Sequence, residues 1–286
     1  MEKVLVTGVA GQLGYDVMRE LEKRNIAAAG ADIGEFDLTD EAAVLEFAAA
    51  ARPTAIVHCA AYTAVDQAED ESEKAYAVNV SGSRNIALAA RQAGAKLVYI
   101  GTDYVFDGEK DGAYDADDPK NPLCVYGKTK LRGEEECKKI VPERLFIVRL
   151  SWVFGKNGKN FVKTMLQLSE NRNEISVVAD QKGSPTYTPD AARLICDLTR
   201  TEKFGTYQVS NEGVCSWHEF ATEIMRQSGR DMWIRPVTAA EYSTRARRPQ
   251  NSVFSKKELD ENGFARLPHW KDALKRFLIE MEEQPS

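Results

Sequence analysis

The chain predicts an α/β protein, a doubly wound parallel sheet with a smaller α/β lobe, on three observations. In its first 150 residues short β-branched runs alternate with longer helical patterns. A glycine cluster directly follows the first of those runs, and no low-complexity tract or linker divides the 286 residues.

A sheet covered on both faces needs nearly continuous apolar strands, and Val4-Leu5-Val6 is the first. It breaks at Gly8 and passes into a helix whose apolar side runs Leu13, Val17, Leu21, one turn apart. Ile26 to Ala31 reads as the second strand, residues 40 to 51 as a helix and Ala55-Ile56-Val57 as the third strand. A helix over about 72 to 93 closes near Gly94, and Leu97-Val98-Tyr99-Ile100 is the fourth strand. A helix over about 125 to 140 leads into Leu145-Phe146-Ile147-Val148. Beyond residue 150 the pattern turns mixed. Thr188-Pro189 opens a helix, Ser216-Trp217-His218-Glu219 and Ser255-Lys256-Lys257-Glu258 read as capping boxes, and the last helix sets Leu274, Phe277, Leu278 and Met281 on one face. The expected division is a sheet domain over 1–150, to which segments near 172–200 return, and a second lobe over 151–286 on the sheet's carboxyl edge.

Thirty-eight Lys and Arg against 44 Asp and Glu make the net charge −6, and no basic cluster offsets it, so nucleic acid is not an expected partner. No run of about 18 apolar residues is present, and the N-terminus enters a strand pattern at once, so neither membrane insertion nor export is expected. Five scattered cysteines without a Cys-x-x-Cys pair speak against a disulfide framework or zinc cage and suit a reduced cytoplasm. His58 and His218 lack partners at metal-ligand spacing; both read as packed or surface residues, and no metal is expected.

The strongest chemical signal is Thr7-Gly8-Val9-Ala10-Gly11-Gln12-Leu13-Gly14, between strand and helix. Glycines there tighten the turn and let a pyrophosphate approach amides at a helix N-terminus, where the dipole favours an anion. Gly8, Gly11 and Gly14 follow a Gly-x-x-Gly-x-x-Gly spacing, one residue longer than the dehydrogenase fingerprint. Asp32 ends the second strand 18 residues after Gly14, where a carboxylate accepts from ribose hydroxyls and repels a 2′-phosphate; this leans toward NADH over NADPH. Asp37-Leu38 can approach the adenine, or Asp37 can cap the helix that begins near Asp40.

Tyr126 and Lys130, four apart at the start of a helix, share one face. At about 5 Å and an effective dielectric near 20 their attraction is roughly 3 kcal/mol, enough to lower a tyrosine pKa by about two units from about 10. Tyr126 then becomes a proton donor or acceptor with Lys130 as its tuner. Thr102 and Asp103 follow the fourth strand at the carboxyl edge, where the Thr102 hydroxyl can polarise a carbonyl or simply stabilise a turn.

Thr7-Gly8-x-x-Gly11-x-x-Gly14, His58-x-Ala60-Ala61, Asn79-Val80-x-Gly82-x-x-Asn85 and Tyr126-x-x-x-Lys130 together resemble an extended short-chain dehydrogenase/reductase. Thr102-Asp103-Tyr104-Val105-Phe106, Ser151-Trp152-Val153-Phe154-Gly155, Asn160-Phe161-Val162-Lys163 and Arg247-Arg248-Pro249-x-Asn251-Ser252 narrow the likeness to the dTDP-4-dehydrorhamnose reductase family, over nearly the whole chain. The resemblance implies a Rossmann domain for NADH or NADPH and a lobe for a dTDP-sugar whose 4-keto group is reduced, with a homodimer as the possible assembly. Carried over residue by residue, Gly11, Gln12 and Leu13 line the diphosphate, while Asp32, Asp37 and Leu38 face the adenosine. Ala60, Ala61, Tyr62 and Thr63 lie along the nicotinamide half, Lys130 binds its ribose and Tyr126 delivers the proton. Asp103 and Trp152 touch the sugar; Arg247, Arg248 and Asn251 meet the nucleotide end, or the arginines form surface salt bridges. The chain departs from the family at Gly101, often serine, and at Tyr62, a histidine in some relatives. The Tyr-Gly-Lys-Thr-Lys string also resembles the regulatory beta subunit of methionine adenosyltransferase, so a non-catalytic NAD(P)-binding subunit and another nucleotide-sugar reductase or epimerase stand as alternatives.

Overall fold

Six parallel strands form the central sheet, and the computed structural model describes residues 2–242 and 244–283 around it. The first half runs β1 (Lys3–Thr7), α1 (Gln12–Lys23), β2 (Ala27–Ala31), α2 (Glu41–Ala51), β3 (Ala55–His58) and a short α3 (Val65–Ala68). α4 (Ser72–Tyr76) and α5 (Ser83–Ala93) flank a π-helical stretch over Ala77–Gly82. β4 (Lys96–Thr102), α6 (Val125–Ile140) and β5 (Leu145–Leu150) follow. The second half holds β6 (Val153–Phe154), α7 (Phe161–Leu168), β7 (Glu174–Val178), β8 (Lys182–Gly183), β9 (Thr186–Tyr187), α8 (Thr188–Thr199) and β10 (Gly205–Val209). It ends with β11 (Asn211–Glu212), β12 (Cys215–Ser216), α9 (Trp217–Ser228), β13 (Trp233–Val237), α10 (Lys257–Glu261), β14 (Leu267–His269) and α11 (Trp270–Glu282).

The sheet order is β10-β5-β4-β3-β1-β2. The order reverses between β1 and β3, so a crevice opens at their carboxyl ends. Alternate residues of β1 explain its unbroken apolar run: Val4 and Val6 enter one buried cluster with Val17, Leu21 and Ile195, whereas Leu5 enters the other with Ile56, Ile86 and Leu97. The second lobe has its own core of Phe154, Tyr187, Phe220, Trp270 and Phe277, continuous with the apolar face of α11. The segment that returns to the sheet is α8 with β10, which pairs with β5, while β7 pairs with β13 in the second lobe.

Three local expectations change. The helix over 72–93 widens by a π turn at Ala77–Gly82, a feature often found at functional sites, and Asn79 projects from it. Asp40, not Asp37, caps α2, accepting from Ala43 N at 3.1 Å, while Asp37 holds the Thr39 amide and hydroxyl, each at 2.8 Å. Ser216 and Glu219 form the reciprocal capping box at 3.0 and 2.7 Å, but Ser255 and Glu258 do not. Lys256, at φ +58°, precedes α10, and the Glu258 carboxylate instead accepts from the distant Ala116 N at 3.2 Å.

Candidate active site

The turn after β1 is built around close backbone approaches. Gly8 holds φ +71°, and a Cβ there would stand 2.7 Å from Ala60 N; a Cβ on Gly14 would stand 2.2 Å from the Gly8 carbonyl oxygen. α1 begins behind Gly11 with no side-chain cap and no acidic residue in its first turn, leaving its amides to an anion. Leu13 turns its side chain into the core, and Asn160 Nδ2 donates to Gln12 Oε1 at 3.2 Å. Asn157 Nδ2 donates to the Ala10 carbonyl at 2.7 Å, so the second lobe braces the turn. This donor set suits the diphosphate of a dinucleotide.

Asp32 stands at the end of β2 with its carboxylate already ordered: Oδ2 accepts from Ala10 N and Oδ1 from Ile33 N, both at 2.9 Å. Leu38 packs against Gly82, where an added Cβ would meet its own Cβ at 3.0 Å. Ala60 N donates to Thr7 Oγ1 at 3.3 Å; Ala61 is half-buried and Thr63 exposed. Asn79 holds Tyr62 by both backbone groups, accepting from its N at 2.8 Å and donating to its O at 3.2 Å. The same amide reaches Thr129 Oγ1 at 3.0 Å, tying this loop to α6 between Tyr126 and Lys130.

The start of α6 lies against the end of β4 because residue 127 is glycine: a Cβ there would be 2.3 Å from the Tyr104 carbonyl oxygen. Tyr126 thereby meets Tyr104 edge to face, ring centroids 5.4 Å apart. The buried Thr102 hydroxyl donates to Asp103 Oδ1 at 3.0 Å and accepts from Tyr104 N at 3.3 Å. Asp103 is itself buried; desolvation pushes its carboxyl up to about 6 against the pull of Ser252 and Thr102, and Oδ2 has no partner among the described residues. These four residues make a polar cluster at the sheet's carboxyl edge, with Thr102 and Asp103 buried and the two tyrosines half-buried.

The tuning expected from the helical spacing runs the other way. Burial raises the Tyr126 phenol above its usual range and outweighs the opposing pull of the Thr102 hydroxyl, with the Asp103 charge adding to the rise. Lys130 does stand on the same side of α6, but its ammonium lies 4.3 Å over the Tyr99 ring, and desolvation lowers it to about 8. His58 is a packed residue: Nδ1 is 2.8 Å from Thr7 Oγ1 and Nε2 3.2 Å from Ser83 Oγ, and burial drives it down to about 3. His218 Nε2 meets the Ile234 carbonyl at 3.0 Å.

A cavity of about 1240 Å³ lies between the second lobe and loops of the sheet domain at Asp66, Asp107 to Glu109 and Leu123, with Phe161, Met165, Ile175 and Trp217 as apolar lining and Arg172, Arg247 and Arg248 as cations. Trp152, at φ +48°, stacks on Trp217 with centroids 3.7 Å apart and planes 13° from parallel. So bulky a residue in left-handed backbone marks stored strain. Gly183 makes room for its edge, since a Cβ there would sit 2.6 Å from Trp152 Cε2. At the far end the expected trio separates. Arg247 lines the cavity with no ion pair among the described residues, while Arg248 forks onto Asp66 at 2.6 and 3.2 Å. Asn251 leaves the site altogether, donating to the carbonyls of Lys110 at 2.8 Å and Gly112 at 2.6 Å, because its loop must bridge two backbone segments. Among the described residues no cluster of His, Cys, Asp or Glu could hold a metal ion.

Trp217, Asp66 and Tyr99 escape a motif reading, and Phe161 stands in a family string without a role, although the capping box that contains Trp217 places its side chain in the first turn of α9. Gly101 also finds its reason: a Cβ there would meet Arg149 Cγ at 2.9 Å, and Arg149 crosses the end of β4 fully buried to bind Glu134 of α6 at 2.6 and 3.1 Å.

The family described as RmlD substrate binding domain matches residues 1–283. The chain is 42% identical over 280 residues to the spore coat polysaccharide biosynthesis protein SpsK of Bacillus subtilis, covering 98% of each. It is 38% identical to a dTDP-4-dehydrorhamnose reductase of Aggregatibacter actinomycetemcomitans, covering 96% of this chain and 98% of that one. A crystal structure of dTDP-4-dehydrorhamnose reductase from Bacillus anthracis, in complex with NADP, superposes with a TM-score of 0.95 at 45% identity, over 98% of this chain and 99% of that one. No helix among the described residues is long and apolar enough to cross a membrane. The glycine turn, the Tyr126–Lys130 face and the match across both lobes make this chain a member of the dTDP-4-dehydrorhamnose reductase family, within the extended short-chain dehydrogenases/reductases.

Proposed function

We propose that the chain reduces the 4-keto group of dTDP-4-dehydro-L-rhamnose to dTDP-L-rhamnose, in dTDP-rhamnose biosynthesis for cell-surface polysaccharide, as a cytoplasmic enzyme. The observation that carries this reading is Tyr126 set against Tyr104 at the carboxyl edge of β4, beside the buried Thr102–Asp103 hydrogen bond of 3.0 Å. Gly8, Gly11, Gln12, Leu13 and Gly14 would hold the dinucleotide diphosphate, Asp32 the adenosine ribose, and Ala60 to Thr63 with Lys130 the nicotinamide half. A bound nicotinamide supplies the hydride.

The phenol above its usual range is the form a reductase needs, because Tyr126 stays protonated and can donate. As C4 accepts hydride, the carbonyl oxygen takes the Tyr126 proton and the C=O becomes CH–OH, leaving a phenolate. Thr102 orients the carbonyl by turning its hydroxyl proton from Asp103 to the carbonyl oxygen, and the Lys130 ammonium steadies the phenolate in a site of low dielectric. Trp152 and Trp217 offer the sugar a flat apolar wall, and Arg247 offers the diphosphate a fork. Asp32 favours NADH, since a 2′-phosphate would meet its fixed carboxylate.

Purified chain mixed with NADH or NADPH and dTDP-4-dehydro-L-rhamnose should consume nicotinamide absorbance and yield dTDP-L-rhamnose. Tyr126→Phe should cut kcat about 10²- to 10⁴-fold while cofactor binding holds within twofold. No turnover with either cofactor, or a Phe variant as fast as wild type, ends the proposal.

A further inference from the structure

Lys130 is buried, and among the described residues no carboxylate reaches ion-pair distance of its Nζ. The nearby anion, Glu134 on the same helix, is held by Arg149 through two bonds and by Lys138 at 2.8 Å. The other groups that face Lys130 are neutral. His58 and Cys59, at the end of β3, are driven respectively down to about 3 and up to about 12; burial raises Cys137 on α6 as well, and Tyr126 keeps its proton. What the ammonium does have is a ring, Tyr99 of β4, with the centroid 4.3 Å away. The Tyr99 hydroxyl also donates to the backbone carbonyl of Lys130 at 2.8 Å. The helix makes room for it: a Cβ on Gly133 would fall 2.7 Å from the Tyr99 oxygen and 2.2 Å from the Asn79 carbonyl. A glycine inside an α-helix is less stable there than an alanine, so this opening comes at a cost in helix stability.

We propose that Tyr99 is a positioning residue for Lys130: its ring face keeps the ammonium charged where no carboxylate does, and its hydroxyl fixes the turn from which the ammonium projects. The proposal rests on the reading above that Lys130 acts in its charged form. A cation over a desolvated aromatic face gains on the order of 1–2 kcal/mol, which corresponds to about one pKa unit. Weakening the face should therefore pull the alkaline limit of activity downward.

The test compares pH profiles of kcat/KM for Tyr99→Phe and for chain carrying a trifluorinated phenylalanine at position 99, which keeps the ring's shape while draining its face of charge. Cofactor affinity serves as the check on folding. The alkaline limb should stay within a few tenths of a pH unit of wild type in Tyr99→Phe and fall by about one unit with the fluorinated ring. Superimposable profiles for the two rings, with Lys130→Met inactive, overturn the role of Tyr99 alone. An active Lys130→Met overturns the role assigned to the ammonium, and this inference with it.

Discussion

Around Tyr126 each candidate catalytic side chain projects from a strand terminus or a helix, and a buried Glu134–Arg149 pair fastens that helix to the sheet. Around Arg248 the groups come from the long connection between β13 and α10, held by Asp66 and by backbone carbonyls of residues 110 and 112. Frame and loop do different work. The frame sets atoms to within a hydrogen bond of one another and shifts their protonation by burial; the loop presents a fork to whatever fills the cavity.

Breaking the frame gives the largest expected effect. Arg149→Met leaves Glu134 buried with only Lys138 in reach, and losing one partner of a buried pair costs about 3–5 kcal/mol. Thermal unfolding should show that loss, and pairing the change with Glu134→Leu should restore much of it. An unchanged Tm in Arg149→Met would mean that the pair does not fasten α6.

Acid should attack the frame next. His58 binds no proton in the folded chain until about pH 3, whereas the unfolded chain takes one up near pH 6.5. Stability from this group is complete above about 6.5 and disappears as pH falls toward 3, by about 1.4 kcal/mol per unit within that window. Denaturant midpoints from pH 7 to 4 should fall less steeply in His58→Gln; equal slopes refute the assignment.

The same contrast explains what the letters disclosed. Sheet, helices and the Tyr126–Lys130 face were legible because periodicity alone puts residues on a side, and Gly8 and Gly14 because glycine is the only residue those approaches admit. The protonation of Tyr126 was not, since spacing predicts a neighbouring charge but burial is a property of the whole fold. Tyr99 read only as a strand residue, because its partner arrives from α6, thirty-one positions later. Arg248 and Asn251 carry functional letters in a loop, where the same groups serve equally to hold the backbone.

At the loop end two substitutions sharpen the division. Arg247→Gln removes a cation that lines the cavity and has no ion-pair partner among the described residues, so KM for the nucleotide sugar should rise about tenfold with Tm unchanged. Asn251→Ala should do the reverse on a smaller scale. It deletes bonds to Lys110, Gly112 and Val253 and so lowers stability by about 1 kcal/mol, yet KM should stay within twofold because its amide faces backbone and not the cavity. Steady-state kinetics and thermal melts on the two proteins decide it. If Asn251→Ala raises KM as Arg247→Gln does while melting normally, the asparagine belongs to the binding surface and the boundary between loop scaffold and loop fork has to be drawn elsewhere.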